Sequence, residues 1–375
     1  MRPTPHARRE VGRVGAQPDG EDVRLGERGD AAVILDRRRR GGEHPRCGSG
    51  ERPQEAVGLE PVQGVVADGS GTFGIGHGPI VPAHTSGMPV LPERPLVSVD
   101  ALASRLGAPD VRIVDCRWYL GRPGAGRAAF FAGHIPGAIH LDLDADLSAP
   151  EGPGRHPLPD PDVFTAHLAT LGIGREHEVV GYDDAGGWVA ARLWWMLDNL
   201  GHPQARVLDG GWGAWLAAGH PTAADERALL PAAPWTPSGK WTRIVDRASL
   251  KPRLGSVVLL DARAAPRYRG EVEPIDPVAG HIPTAINVPI DGNLGPDGRF
   301  LPPAELAARF RAVGAGPATA EVVTSCGSGT SACHHALAMR VAGLADPILY
   351  VGSYSDWSRA GEPVATGSNP GTPVR

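Results

Sequence analysis

Lysine is almost missing from this chain. Of its 37 basic residues only Lys240 and Lys251 are not arginine, the bias expected of a GC-rich coding sequence. A basic surplus is missing too: the formal net charge is -5, which argues against nucleic acid or an anionic membrane as a partner and leaves a small solute. No stretch approaches the roughly 18 consecutive apolar residues that cross a bilayer, and the N-terminus carries no apolar signal core. Neither membrane insertion nor secretion is expected, and the location read from this is cytoplasmic. The four cysteines, Cys47, Cys116, Cys326 and Cys333, lack the pairwise spacing of a zinc site and are too few for a disulfide scaffold, so reduced thiols are expected. A nucleotide-binding glycine fingerprint and a metal-ligand cluster are absent as well; His334 and His335 are adjacent, and neighbours on a helix cannot share one face. No cofactor and no metal are expected.

What remains is enough chain, at 375 residues, for two domains of ordinary size. Residues 1–87 are rich in Gly, Pro and Arg, include the run Arg37 to Arg40 and show no apolar periodicity, so a disordered tail or a translation start near Met88 is expected there. Their 12 Arg balance 12 Asp plus Glu, so the net charge belongs to the remainder. From Leu96 onward the chain runs twice through one pattern. The first copy has a strand ending in Asp115, GHIPGA from Gly133, a strand Val179 to Tyr182 and LDGGWGAW from Leu208. The second has the strand Val257 to Leu260 ending in Asp261, GHIPTA from Gly280, a strand into Ser325 and LYVGSYSDW from Leu349. The interval between copies is 146 residues for the Asp pair, 147 for the His pair and 142 for Trp215 and Trp357.

Helical spacing separates these strands. Leu193, Leu197 and Leu200 stand at i, i+4, i+7 ahead of Gly201, and Leu337, Val341 and Leu344 repeat the spacing. Apolar strands alternating with amphipathic helices predict an α/β protein: two tandem similar domains, each a mainly parallel sheet with helices on both faces. The expected bounds are 94–221 for the first domain, 222–241 for a Pro-rich linker, 242–367 for the second domain and 368–375 for a tail. Trp194, Trp195, Trp212, Trp215 and Trp357 are expected in packing rather than in a site.

The segment TSCGSGTSACHHALAM places Cys326 directly after a strand and just ahead of a helix, with glycines at 327 and 329. Small residues there let successive backbone N–H groups curl toward one point, and the helix N-terminus adds partial positive charge. Such a cradle favours a thiolate, the nucleophilic form, and suits a persulfide anion equally. Cys333, Cys116 and Cys47 have no such surroundings.

The CGSGTSA loop, both HIPxA segments, RYRGEVEP from Arg267 and the LYVGSYSDW ending together resemble the tandem-domain rhodanese and 3-mercaptopyruvate sulfurtransferase family over about residues 94–367. The resemblance implies that the C-terminal domain carries the nucleophile and that the N-terminal one is silent; Asp183 stands where Cys326 has its counterpart. It further implies a ping-pong cycle. A small-molecule sulfur donor is attacked by Cys326, a persulfide forms, and the sulfur passes to a thiol such as thioredoxin or to cyanide. Family members that prefer thiosulfate usually carry a basic residue where this chain has Ser328. The serine instead matches the mercaptopyruvate branch, in which it works with an Asp and a His at positions matching Asp144 and His156. Arg267 matches the donor-binding arginine, and Gly327, Gly329, Thr330 and Ser331 complete the donor-binding loop. A second arginine usual in that branch is missing from the segment EPIDPVAG; Arg269 is a weak substitute, because its side chain points elsewhere in an extended segment. Tyr354 replaces a usual Trp, and Thr284 a usual Gly. Thiosulfate therefore stays open as the donor. Two other readings compete. A Cys-x5-Arg phosphatase would need an arginine where Ala332 stands, and a non-catalytic sulfur-carrier or regulatory module would not need the glycine loop around Cys326.

Overall fold

The computed structural model describes residues 95–226, 229–316 and 321–373. The expectations for residues 1–87, Cys47 and Met88 lie outside the described residues. Two five-stranded sheets are formed. The first comprises β1 (Leu96–Val97), β2 (Val111–Asp115), β3 (Ile139–His140), β4 (Glu178–Tyr182) and β5 (Ala205–Leu208), in the order β1-β5-β4-β2-β3. The second repeats it with β6 (Ile244–Val245), β7 (Val258–Asp261), β8 (Ile286–Asn287), β9 (Val322–Ser325) and β10 (Ile348–Tyr350), in the order β6-β10-β9-β7-β8. Every strand pair is parallel, which obliges each connection to cross over a face of the sheet.

Both faces of each sheet are consequently buried. In β4, Val179 packs into one core cluster while Val180 and Tyr182 pack into another; in β9, Val322 and Val323 divide in the same way. The helices Trp188–Asn199 and Thr330–Val341 follow β4 and β9. They pack against each other, and Val189, Leu193 and Leu197 share one core with Ala332, Ala336 and Leu337. The apolar seam thus joins the two sheets through the same helix in each copy. Gly201, at φ 78°, ends the first of these helices as its position predicts. The second ends earlier than its leucine spacing suggests: Gly343 turns left-handed at φ 69°, and Leu344 packs from the turn beyond. Trp194, Trp195, Trp215 and Trp357 are buried in the cores. Among the described residues no helix is long and apolar enough to cross a membrane.

The GHIP segments do the same structural work in each copy. His134 and His281 stack on Phe130 and Tyr268 with ring centroids 3.8 and 3.7 Å apart, and their backbones bridge to Ala223 and Ala365, where the chain leaves each sheet. In the segment expected to link the domains, Trp235 is buried, and Trp241 Nε1 donates to the Pro159 carbonyl at 2.6 Å. Gly137 and Thr284 occupy the matching turn, both left-handed at φ 81° and 72°. A β-branched residue pays for that conformation, and the Thr284 hydroxyl is buried without a partner. Thr284→Gly is expected to raise stability by about 1 kcal/mol, the relieved strain exceeding the added chain entropy. A urea-unfolding midpoint that falls instead would show that the threonine turn is unstrained.

Candidate functional site

β9 ends at Ser325, and after the four residues 326–329 the chain enters the helix Thr330–Val341. The turn is possible because Gly329 takes φ 82°, where a Cβ would lie 2.4 Å from the Val351 carbonyl oxygen. The backbone N–H groups of Ser328 and Gly329 then donate to Cys326 Sγ, at 3.4 and 3.1 Å. Cys326 is only 2% exposed, yet its thiol lines a cavity of about 260 Å³ bounded by both halves of the chain. Trp118, Arg155, His156 and Trp188 come from the first half; Arg263, Arg267, Ile275, Gly327, Ser328 and Ser331 come from the second.

Beside the sulfur, Ser328 Oγ lies 2.8 Å from His156 Nδ1, and His156 Nε2 lies 3.1 Å from Asp144 Oδ1. Trp118 Nε1 holds the other oxygen of Asp144 at 2.8 Å and sets its ring edge-on to that of His156. Asp144 is largely exposed, whereas His156 is buried. Burial pushes the imidazole down to about 4, against the pull of Asp144 and with the cations Arg192 and Arg155 adding to the fall. At neutral pH the ring is neutral. With Nε2–H directed to Asp144, Nδ1 accepts from the Ser328 hydroxyl. Fully buried Arg192 fixes this loop, donating from Nη2 to the His156 carbonyl at 3.0 Å.

Two guanidinium groups lie over Gly327. Arg267 donates from Nη2 to Glu273 at 2.7 Å and to Asp276 at 3.2 Å; Arg155 donates from Nη1 to the other oxygen of Asp276. Burial raises the Asp276 carboxyl, and Arg155 and Arg267 oppose that rise. Arg263 forks onto Asp261, and its guanidinium sits 4.0 Å from the centre of the Tyr354 ring, so tyrosine serves as the platform at the position of the usual Trp. The segment around Arg267 is a short helix, Ala265–Arg269, not extended chain. Two residues apart on that helix, Arg269 turns away and pairs with Glu271 in solvent.

The structure thus brings Cys326, Gly327, Ser328, Ser331, Asp144, His156 and Arg267 around one cavity or its rim. Gly329 sits behind the sulfur and contributes its N–H. Thr330 is fully buried, its hydroxyl 3.3 Å from His156 Nδ1, and it does not line the cavity. Sequence reasoning missed Arg155, Trp118 and Trp188. For Arg155 the signal was its adjacency to His156 in GRHPLP; for Trp118 it was its place just past β2, where the second copy has Ala264. In the first copy the cradle after β4 is complete but filled: the Asp183 carboxylate accepts from the N–H groups of Ala185, Gly187, Val189 and Ala190 at 2.7–3.1 Å. Cys116 and Cys333 are buried, which pushes the first well above its usual range and the second up to about 12. Both are kept as thiols, the unreactive form.

Residues 98–218 and 246–360 each match the model of the rhodanese-like domain. A Pseudomonas aeruginosa protein named "Probable 3-mercaptopyruvate sulfurtransferase" is 46% identical over 72% of this chain and 98% of its own length. A Mycobacterium tuberculosis protein named "Putative thiosulfate sulfurtransferase SseB" is 40% identical over 70% of this chain and 93% of its own. Among solved structures, the 3-mercaptopyruvate sulfurtransferase from Leishmania major superposes with a TM-score of 0.64 at 32% identity, covering 73% of this chain and 76% of that one.

The buried imidazole has a checkable consequence. His156 titrates near 4 in the folded chain and near 6.5 when unfolded, so the unfolded chain binds the proton first; the stability His156 contributes is present above about 6.5 and lost as pH falls toward 4. NMR titration, with the His156 signal assigned by its loss in His156→Gln, is expected to show a midpoint near 4. A midpoint near 6.5 would mean a solvated ring.

Proposed function

Because this chain belongs to the rhodanese family and is a sulfurtransferase, we propose that Cys326 takes sulfur from 3-mercaptopyruvate, holds it as a persulfide and passes it to a thiol such as thioredoxin or to cyanide. The observation that carries the donor assignment is the Ser328–His156–Asp144 chain beside the sulfur. The Cys326 thiolate attacks the donor's sulfur, an S–S bond forms and the donor's C–S bond breaks. The bonding electrons leave on carbon as the enolate of pyruvate, and the thiol proton of the donor ends on that carbon. Ser328 Oγ, bonded to neutral His156, is the group placed to move this proton. Asp144 steadies the charge that His156 acquires in passing, and the backbone cradle receives the persulfide anion.

Charge favours the same donor. Arg155, Arg263 and Arg267 face Asp261, Glu273 and Asp276 one for one, so the cavity has little net attraction for a dianion such as thiosulfate. The relative named for thiosulfate keeps that donor as the second reading. On either reading the catalytic domain is 242–367, the silent one 94–221, and the reduced Cys326 thiol suits a cytoplasmic location.

Steady-state kinetics separate the donors. The expected result is a higher kcat/KM for 3-mercaptopyruvate, no transfer by Cys326→Ser, and a fall in kcat of about 100-fold for His156→Ala with 3-mercaptopyruvate. With thiosulfate the His156→Ala loss should be small, since sulfite leaves without protonation at carbon. Preference for thiosulfate, or equal losses with both donors, would overturn the donor assignment.

A further inference from the structure

Asp144 has 58% of its side chain in solvent, so burial does not hold it. Its bonds to His156 and Trp118 are made at the tip of the side chain, and where that tip points is set by the backbone that carries it. This backbone is a single turn just past β3. The Asp146 N–H donates to the Asp142 carbonyl at 2.9 Å, and the N–H groups of Asp144 and Ala145 donate to Asp142 Oδ1 at 2.8 and 3.1 Å. The Asp142 N–H donates in return to Asp146 Oδ2 at 2.7 Å. Leu143 and Leu147 are fully buried, and Arg192 reaches the far end of the turn at the Leu147 carbonyl, at 3.4 Å.

Closure of the turn thus depends on the direction of the Asp146 carboxylate, and a carboxylate swings broadly about its last bond unless both oxygens are held. The second oxygen is held from outside the turn: His167 Nε2 lies 2.7 Å from Asp146 Oδ1. An ionised carboxylate only accepts, so Nε2 carries a proton and donates, whether the ring is neutral or charged. His167 stands on the helix Pro161–Thr170, which is fixed by other means. Asp160 caps its start, and Phe164 and Leu168 are buried in the core of the first copy. His167 and Asp146 line a cavity of about 420 Å³ with Ala145 and Val163, one that Cys326 does not reach.

We propose that His167 is a positioning residue of the proton relay: by holding Asp146 Oδ1 it aims Oδ2 at the Asp142 N–H, and so fixes the turn that brings Asp144 to His156. The inference rests on the donor reading above, in which the relay serves 3-mercaptopyruvate. A partly exposed pair of this kind adds little to stability, so its effect is on geometry, and small displacements of a relay cost rate. Donor binding by Arg267 does not pass through this loop.

The test uses the full chain and the variants His167→Phe, His167→Gln and Val163→Ala, with 3-mercaptopyruvate and thiosulfate as donors and His156→Ala measured beside them. His167→Phe keeps a ring facing the cavity and removes the donor. It is expected to lower kcat with 3-mercaptopyruvate by about threefold to tenfold, with KM and thiosulfate turnover within about twofold and the urea midpoint nearly unchanged. His167→Gln, whose amide nitrogen can take the place of Nε2, should recover kcat to within about twofold of the parent. Val163→Ala, on the same helix and 65% exposed, should match the parent. If His167→Phe fails to fold, His167→Ala decides by the same criteria. An unchanged kcat with 3-mercaptopyruvate, equal losses with both donors, or no recovery in His167→Gln would overturn the positioning role while a donor-selective loss in His156→Ala keeps the relay. Equal losses in His156→Ala itself would overturn the relay reading and this inference with it.

Discussion

Peptide N–H groups converging just past the end of a parallel strand need an acceptor, and the two copies in this chain meet that need with different groups. After β4 the four N–H groups of Ala185, Gly187, Val189 and Ala190 close on the carboxylate of Asp183, a permanent internal occupant. After β9 the equivalent turn closes on Cys326 Sγ, the atom proposed to carry the transferred sulfur. The same backbone solution holds a fixed carboxyl group in one copy and, on the proposed function, the sulfur-carrying thiol in the other. It also explains how Cys326, the proposed nucleophile, can be only 2% exposed: the cradle fixes the sulfur against the helix start, and access comes from one side through the cavity.

The first copy has Asp183 where the second has Cys326, and it still contributes to the site. Packing of the helices Trp188–Asn199 and Thr330–Val341 brings the first half of the chain against the cysteine loop, and buried Arg192 pins the segment that carries Arg155 and His156. Trp118 grips Asp144, which in turn orients His156 toward Ser328. Burial of that imidazole keeps it neutral at physiological pH, so that the chain of hydroxyl, ring and carboxylate is ready to accept a proton rather than already holding one. The site is a product of the seam, and separating the halves would leave Cys326 in its cradle without the side chains of Trp118, Arg155, His156 and Trp188.

Much of this was legible in the residues alone, for a local reason. A strand followed by Cys-Gly-Ser-Gly and a helix start is specified by contiguous sequence, so Cys326 and its turn could be read directly, and the repeated Asp, GHIP and Trp positions predicted two sheets of one topology. The GHIP histidines proved to be stacking and bridging groups, consistent with their use only as markers of the repeat. What escaped was long-range. Arg155 and Trp118 matter because of residues far along the chain, Asp276 and Gly327 for the one and His156 for the other, and no spacing rule reports such a meeting. The short helix at Ala265–Arg269 was missed because Pro266 in its first turn and Gly270 at its end leave it a single turn long.

The account stands on Cys326 as the atom that carries the sulfur, and tandem mass spectrometry of the protein after 3-mercaptopyruvate treatment tests it most directly. The account predicts a gain of about 32 Da, one sulfur atom, with fragment ions placing it on Cys326 and its loss on addition of a thiol acceptor. Sulfur found on Cys333 or Cys116, or no gain at all while pyruvate is released, would contradict it.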